Sequence, residues 1–129
     1  MRVNYAYSVD EPKKLAIARD ILDAHETIVM STQTINEFVN VTTRKKVLSK
    51  AQAAKIVDEL FSLFLIEVID HKVIQRALAL SEELHYSYFD SLMIASALEA
   101  ECSILYSEDM HHDHTIEKKL KIVNPLRLK

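Results

Sequence analysis

Apolar residues recur along this chain in two alternating rhythms. Pro12 suits a first helical turn with Asp10 as its cap, and Leu15, Ile17, Ala18, Ile21 and Leu22 follow as a helical stripe. Residues 27–30 read as a short buried strand. Ser31 or Thr32 then caps a helix carrying Ile35, Phe38, Val39 and Thr42. Ser49-Lys50-Ala51-Gln52 has the form of a capping box, ahead of Ala53, Ile56, Val57, Leu60 and Phe64 on one face. Residues 65–69 are strand-like. Asp70 can cap the next helix, which runs through Val73, Ile74, Ala77, Leu78 and Leu84. Residues 91–100 form a strongly apolar helix, expected to be buried, and residues 103–107 and 121–123 are two further strands. Strands alternating with helices predict an α/β fold with a mainly parallel sheet covered on both faces. Ligands of such sheets gather at the carboxyl ends of the strands.

A length of 129 residues fits one domain, over 1–129, with a sizeable core. No apolar run approaches a membrane span and no basic leader precedes a short apolar stretch, so a cytoplasmic protein with no membrane partner is the default expectation. The net charge of −3 supplies no global attraction for nucleic acid. Basic residues are nonetheless grouped, as Arg44, Lys45 and Lys46 and as Lys118, Lys119 and Lys121 with Arg127 and Lys129 beyond. Each group is a candidate phosphate contact; a solvated helix end is the plainer explanation of either. The chain has no glycine. A Gly-rich phosphate loop is therefore excluded, and with it the dinucleotide and nucleoside-triphosphate classes. Turns that need a positive φ are left to Asn or Asp, or the helices end by other means. Cys102, the single cysteine, has no disulfide partner and is expected as a small core residue.

The candidate chemistry lies in three carboxylates set in or beside apolar stretches. Glu37 interrupts Thr34-Ile35-Asn36-Glu37-Phe38-Val39, Asp90 opens Asp90-Ser91-Leu92-Met93-Ile94-Ala95, and Asp109 follows Ile104-Leu105-Tyr106-Ser107-Glu108. Charges this close to core segments are costly unless compensated. A divalent cation held by converging oxygens is one such compensation, and a route to phosphodiester hydrolysis. Asp109 follows one strand, and Glu37 lies in the helix after another, so both belong to the carboxyl end of the sheet. The plainer readings are a helix-surface residue for Glu37 and an N-cap for Asp90. Asp109 competes with its neighbour Glu108. The pairs Asp58-Glu59 and Glu82-Glu83 fall on amphipathic helices and read as solvated faces.

Four motifs, in order, resemble the PIN domain family, and most closely its VapC-type toxins: residues 31–38, residues 90–97, Leu105-Tyr106-Ser107-Glu108-Asp109-Met110, and Ile122-Val123-Asn124-Pro125. Each motif alone is weak, but the ordered set spans nearly the whole chain. The resemblance implies a three-layer α/β/α PIN-like fold. It makes Glu37, Asp90 and Asp109 the catalytic ligands of Mg2+ or Mn2+, with Ser107 as the small hydroxyl residue beside them. It further implies cleavage of an RNA substrate by a metal-activated water, an antitoxin protein as partner, and a homodimer.

One departure stands out. The family opens with a central strand ending in Asp-Thr-Asn, ahead of a segment that often contains Tyr-Ala-Tyr-Ser. Here Tyr5-Ala6-Tyr7-Ser8 is present. Counting back from it, the aspartate falls before Met1. Arg2-Val3-Asn4 replaces that strand poorly, so the first strand is expected to be missing, or improvised from residues 1–7. Either the true start lies upstream or the site is impaired. Two alternatives follow: a catalytically inactive PIN remnant that acts as a protein-binding module, and a metal-dependent nuclease acting on structured DNA. His111, His112 and His114 with Asp113 form the densest metal-like run, but fit no closed zinc pattern and read better as a loop. Tyr5, Tyr7, Tyr86 and Tyr88 offer stacking surfaces for bases, with core or groove packing as the plainer role.

Overall fold

The computed structural model describes residues 2–5, 27–107, 110 and 113–124. The expected helix over 12–22 and its cap Asp10 lie outside them. In chain order the elements are β1 (Arg2–Tyr5), β2 (Thr27–Ser31), α1 (Thr32–Arg44), α2 (Lys50–Leu63), β3 (Leu65–Glu67), α3 (His71–Leu84), α4 (Tyr88–Glu99), β4 (Ile104–Tyr106), β5 (Thr115–Ile116) and β6 (Leu120–Val123). Among the described residues, six strands form one sheet in the order β3-β2-β1-β4-β6-β5. All neighbours are parallel except β5, which pairs antiparallel with β6 at one edge.

The first strand is therefore present. Arg2–Tyr5 occupies an inner position, pairing with β2 through Val3↔Ile28 and with β4 through Val3↔Ile104. The improvised strand fills the gap that the motif comparison leaves open.

Strand alternation builds the two outer layers. Val29, Leu105 and Ile122 pack with Val73, Ala77 and Leu80 of α3 and with Leu92, Ile94, Ala95 and Leu98 of α4. Their neighbours Met30, Tyr106 and Val123 pack with Ile35 of α1 and with Val57 and Leu60 of α2. Adjacent strand residues thus feed opposite cores, as a period of two requires. A parallel sheet covered on both faces is the result. Every residue from Ser91 to Leu98 is buried, so α4 has no solvent face to reserve for polar side chains. Cys102 is buried as expected.

Local signals set the helix starts. Ser31 caps α1 by accepting the Thr34 N–H at 3.1 Å. Ser49 and Gln52 complete the capping box of α2 with bonds of 3.1 and 2.9 Å. Asp70 caps α3 by accepting the Val73 N–H at 3.1 Å. Such caps contribute about 1 kcal/mol each.

The helix ends show how the chain manages without glycine. The expectation is Asn or Asp at turns that need a positive φ, or helices that end by other means. Lys46 (φ 58°), His85 (φ 63°) and Glu101 (φ 58°) follow α1, α3 and α4, and Asp113 is the single Asp or Asn among the described residues with a positive φ. After α1, the Val47 N–H reaches the Thr42 carbonyl at 2.9 Å and the Lys46 N–H the Thr43 carbonyl at 3.1 Å, and Cys102 and Glu101 repeat the pattern after α4. Hydrogen bonding to the last turn holds these residues left-handed against their steric preference. Helix α2 ends on extended Phe64 and runs directly into β3.

Candidate active site

Helices α1 and α4 meet at the carboxyl end of β2. Ser31 is the last residue of β2 and is buried. Its Oγ lies 3.5 Å from the Met93 Sδ of α4, and the Thr34 Oγ1 lies 3.4 Å from the same sulfur. Beyond Met93 the helix leads back to the start of β4, so α4 begins at the carboxyl edge of the sheet and runs toward its amino edge. Glu37 stands three residues after Thr34, and Asp90 three residues before Met93. Residues three apart share a helix face. Each carboxylate is therefore one turn from the point where the two helices touch.

Glu37 is half-buried and accepts a hydrogen bond from the Gln33 Nε2 at 3.2 Å. Asp90 is half-buried in the first turn of α4, where the helix dipole favours a negative charge. The N-cap reading of Asp90 is corrected. Ser87 is the cap, its Oγ accepting the Asp90 N–H at 3.1 Å, and α4 starts at Tyr88 instead of residue 91. Ser107 is buried directly after β4, and its N–H donates to the Val123 carbonyl at 3.0 Å. Asp109 and Glu108 lie outside the described residues.

The donors offered by the described residues are hard oxygens: two carboxylates and a hydroxyl. That chemistry suits Mg2+ or Mn2+ and not a soft metal. Among the described residues, no group of three His, Cys, Asp or Glu side chains converges as a metal site. A complete ligand set therefore needs a contribution from outside them, and Asp109 is the sequence candidate.

The PIN domain family model matches residues 3–118 of the chain. This protein belongs to the PIN domain family. Members of that family are in general nucleases that use divalent metal ions. The fold resembles two solved structures. A toxin–antitoxin complex from Klebsiella pneumoniae matches with a TM-score of 0.72 at 20% identity, over 97% of this chain and 98% of that one. The VapC20 toxin of Mycobacterium tuberculosis, described as cleaving the sarcin–ricin loop, matches with a TM-score of 0.61 at 13% identity, over 80% of this chain and 86% of that one. No curated protein matches.

Other motif residues of this PIN chain have structural occupations. The Tyr86 hydroxyl and the His114 Nδ1 lie 2.8 Å apart, which ties the α3–α4 junction to the loop before β5. Asp113 pairs with Lys121 at 3.2 Å. His111 and His112 lie outside the described residues. Arg44, Lys45 and Lys46 are exposed at the end of α1, and Lys118 and Lys119 are exposed in the β5–β6 turn. The pairs Asp58-Glu59 and Glu82-Glu83 are solvent-exposed as expected. Burial raises the pKa of Tyr106 above the usual tyrosine value. Among the described residues, no helix is long and apolar enough to cross a membrane.

The contact of Thr34 with Met93 had no sequence reading of its own. Its signal was present as two matched spacings: a hydroxyl three residues before the glutamate, and a thioether three residues after the aspartate.

Proposed function

We propose that this protein is a metal-dependent endoribonuclease, the toxin half of a toxin–antitoxin pair, built as a single PIN domain over 1–129. Glu37, Asp90 and Asp109 are the ligands of Mg2+ or Mn2+, with Ser107 supporting them. The observation that supports this most directly is the Thr34–Met93 contact of 3.4 Å, one helical turn from both Glu37 and Asp90. Acidic groups one helical turn from that contact suit a hard cation, which retains several waters and needs few protein ligands. A bound ion supplies an acidified attacking water and compensates charge on the scissile phosphate. The protein would orient that ion through the carboxylates, while Arg44 at the end of α1 and its C-cap Lys45, seven and eight residues beyond Glu37, offer charge to flanking phosphates.

The neighbours support the choice of substrate and partner. One is described as a toxin–antitoxin complex, and the other by its cleavage of the sarcin–ricin loop. RNA is therefore preferred here to structured DNA. Two exposed apolar groups are consistent with partner surfaces, whether an antitoxin or a second copy of the chain. Ile74 and Leu78 lie one turn apart on α3, and Phe61, Leu63, Leu65 and Val68 cluster in sequence around edge strand β3.

A second reading has its own observation. Inner strand β1 is Arg-Val-Asn-Tyr and carries no carboxylate. The family pattern places an aspartate at the end of that strand. A PIN module that binds partners without cutting follows if the remaining acids do not suffice. Titration with Mn2+, together with cleavage of a labelled single-stranded RNA and a flapped DNA, tests both. Metal-dependent RNA cleavage that Glu37→Gln abolishes is the expected result. A folded chain that binds no Mn2+ and cuts neither substrate supports the inactive module, and preference for the flapped DNA overturns the ribonuclease assignment.

A further inference from the structure

We infer that Met93 is a positioning residue of the candidate site: its sulfur receives a hydroxyl proton from α1 and so fixes where Glu37 stands relative to Asp90. The inference rests on the nuclease reading above. It starts from an accounting of protons among three buried side chains. Ser31 Oγ, Thr34 Oγ1 and Met93 Sδ lie within 3.2 to 3.5 Å of one another. All three residues are buried. The Ser31 oxygen already accepts the Thr34 N–H at 3.1 Å, as the N-cap of α1. Each hydroxyl still has a proton to place. If Ser31 donates to Thr34, the Thr34 proton is directed at sulfur. If Thr34 donates to Ser31, the Ser31 proton is directed at sulfur. In either arrangement the thioether is the acceptor that closes the network, and a buried hydroxyl needs such an acceptor.

The network bridges two elements 59 to 62 residues apart in the chain. Its α1 end is the first turn of the helix that carries Glu37, and its α4 end is the second turn of the helix that carries Asp90. From the contact, each carboxylate is three residues away, about 4.5 Å along its helix. A shift of α1 across α4 at this pivot moves one acid relative to the other. Leucine has nearly the volume of methionine, but accepts no hydrogen bond. A purely hydrophobic contact would be indifferent to that exchange, and a positioning contact would not.

The test compares wild type with Met93→Leu, Thr34→Val and Thr34→Ser, using Mn2+ alone, then Mn2+ with labelled single-stranded RNA. Met93→Leu strands one hydroxyl proton and lowers Mn2+ affinity and kcat about ten-fold, the smaller end of what outer-shell partners cost, with KM unchanged. Thr34→Val leaves Ser31 free to donate to the sulfur and has a weaker effect than Met93→Leu. Thr34→Ser keeps the hydroxyl and restores wild-type behaviour. In metal-free protein, amide exchange across residues 34–37 quickens in Met93→Leu and not in Thr34→Ser. Wild-type affinity and kcat in Met93→Leu overturn the inference, as does an equal loss in Thr34→Ser and Thr34→Val. A wild-type chain that neither binds Mn2+ nor cuts RNA overturns the nuclease reading itself, and the inference with it.

Discussion

Replacing Lys46, His85 and Glu101 by glycine should stabilise this protein, although each change removes a side chain and adds flexibility. All three residues have a φ between 58° and 63° and follow the ends of α1, α3 and α4. A side chain with a Cβ pays roughly 1–2 kcal/mol in this left-handed region. Glycine avoids that cost but has more freedom in the unfolded chain, which opposes it by about 0.4–1 kcal/mol. The steric term is the larger, so each substitution gains roughly 0.5–1 kcal/mol. All three side chains are exposed, so little packing is lost. The His85 N–H still bonds the Ser81 carbonyl at 3.0 Å, because the backbone geometry is kept. The sites close three different helices, and the gains are expected to add to about 2 kcal/mol. Denaturant unfolding should move the midpoint upward with an unchanged slope. The control is Gln75→Gly, an exposed position inside α3, which should lose about 1 kcal/mol. Opposite signs for the same replacement are the signature of the mechanism. If His85→Gly destabilises as Gln75→Gly does, the steric account of these helix ends is wrong.

Further outcomes follow from the site and its surroundings. Glu37→Gln and Asp90→Asn should each weaken Mn2+ binding and reduce RNA cleavage by about 100-fold or more while leaving the melting temperature near wild type, checked by titration, cleavage rate and thermal denaturation. Chelation with EDTA should abolish cleavage, and Mn2+ should restore it. Tyr106 has a raised pKa because burial opposes its charged form. Its contribution to stability is therefore intact below the unfolded-state value near 10 and is lost as pH rises toward the folded value. Unfolding midpoints measured from pH 8 to 11 should fall less steeply in Tyr106→Phe. Arg76 bridges Glu99 of α4 at 2.6 Å and Glu117 of the β5–β6 turn at 2.8 Å, all partly exposed. Arg76→Met should cost about 0.5–1 kcal/mol, and high salt should shrink the difference.

The elements that the sequence revealed are those decided within a few residues. Ser49 and Gln52 form their box through contacts of the α2 start alone, and Asp70 needs only Val73. The start of α4 misleads because Ser87 and Asp90 are both good caps three residues apart. Asp90 itself interrupts the run from Tyr88 and Phe89 to Leu92, and so hides the earlier helix start. Strand β5 is two residues long and owes its existence to β6, so no local periodicity can announce it. The left-handed helix ends are equally hidden, since lysine, histidine and glutamate do not advertise them. At the site, the acids were legible as charges in apolar company, whereas the hydroxyl–thioether pivot beneath them depends on a contact 59 residues long.

Strand β1 separates what folding demands from what catalysis demands. Arg and Asn are indifferent strand formers, yet Arg2–Tyr5 holds an inner place in the sheet. Its neighbours explain this. Strands β2 and β4 both present inward-facing backbone groups, and register pairs run along each side of β1. Unpaired peptide groups in a covered parallel sheet are costly, so almost any extended segment that satisfies both ladders is accepted. Backbone pairing is blind to the side chain, which is how a fold match of 0.72 coexists with 20% identity. A cation is not blind to it. Affinity for a hard divalent ion depends on the number and charge of its oxygen ligands, and Arg-Val-Asn-Tyr adds none of the negative charge an aspartate would bring. Similarity of fold is thus compatible with both an active toxin and a silent one, whereas Mn2+ affinity, which senses the charge that β1 lacks, distinguishes them.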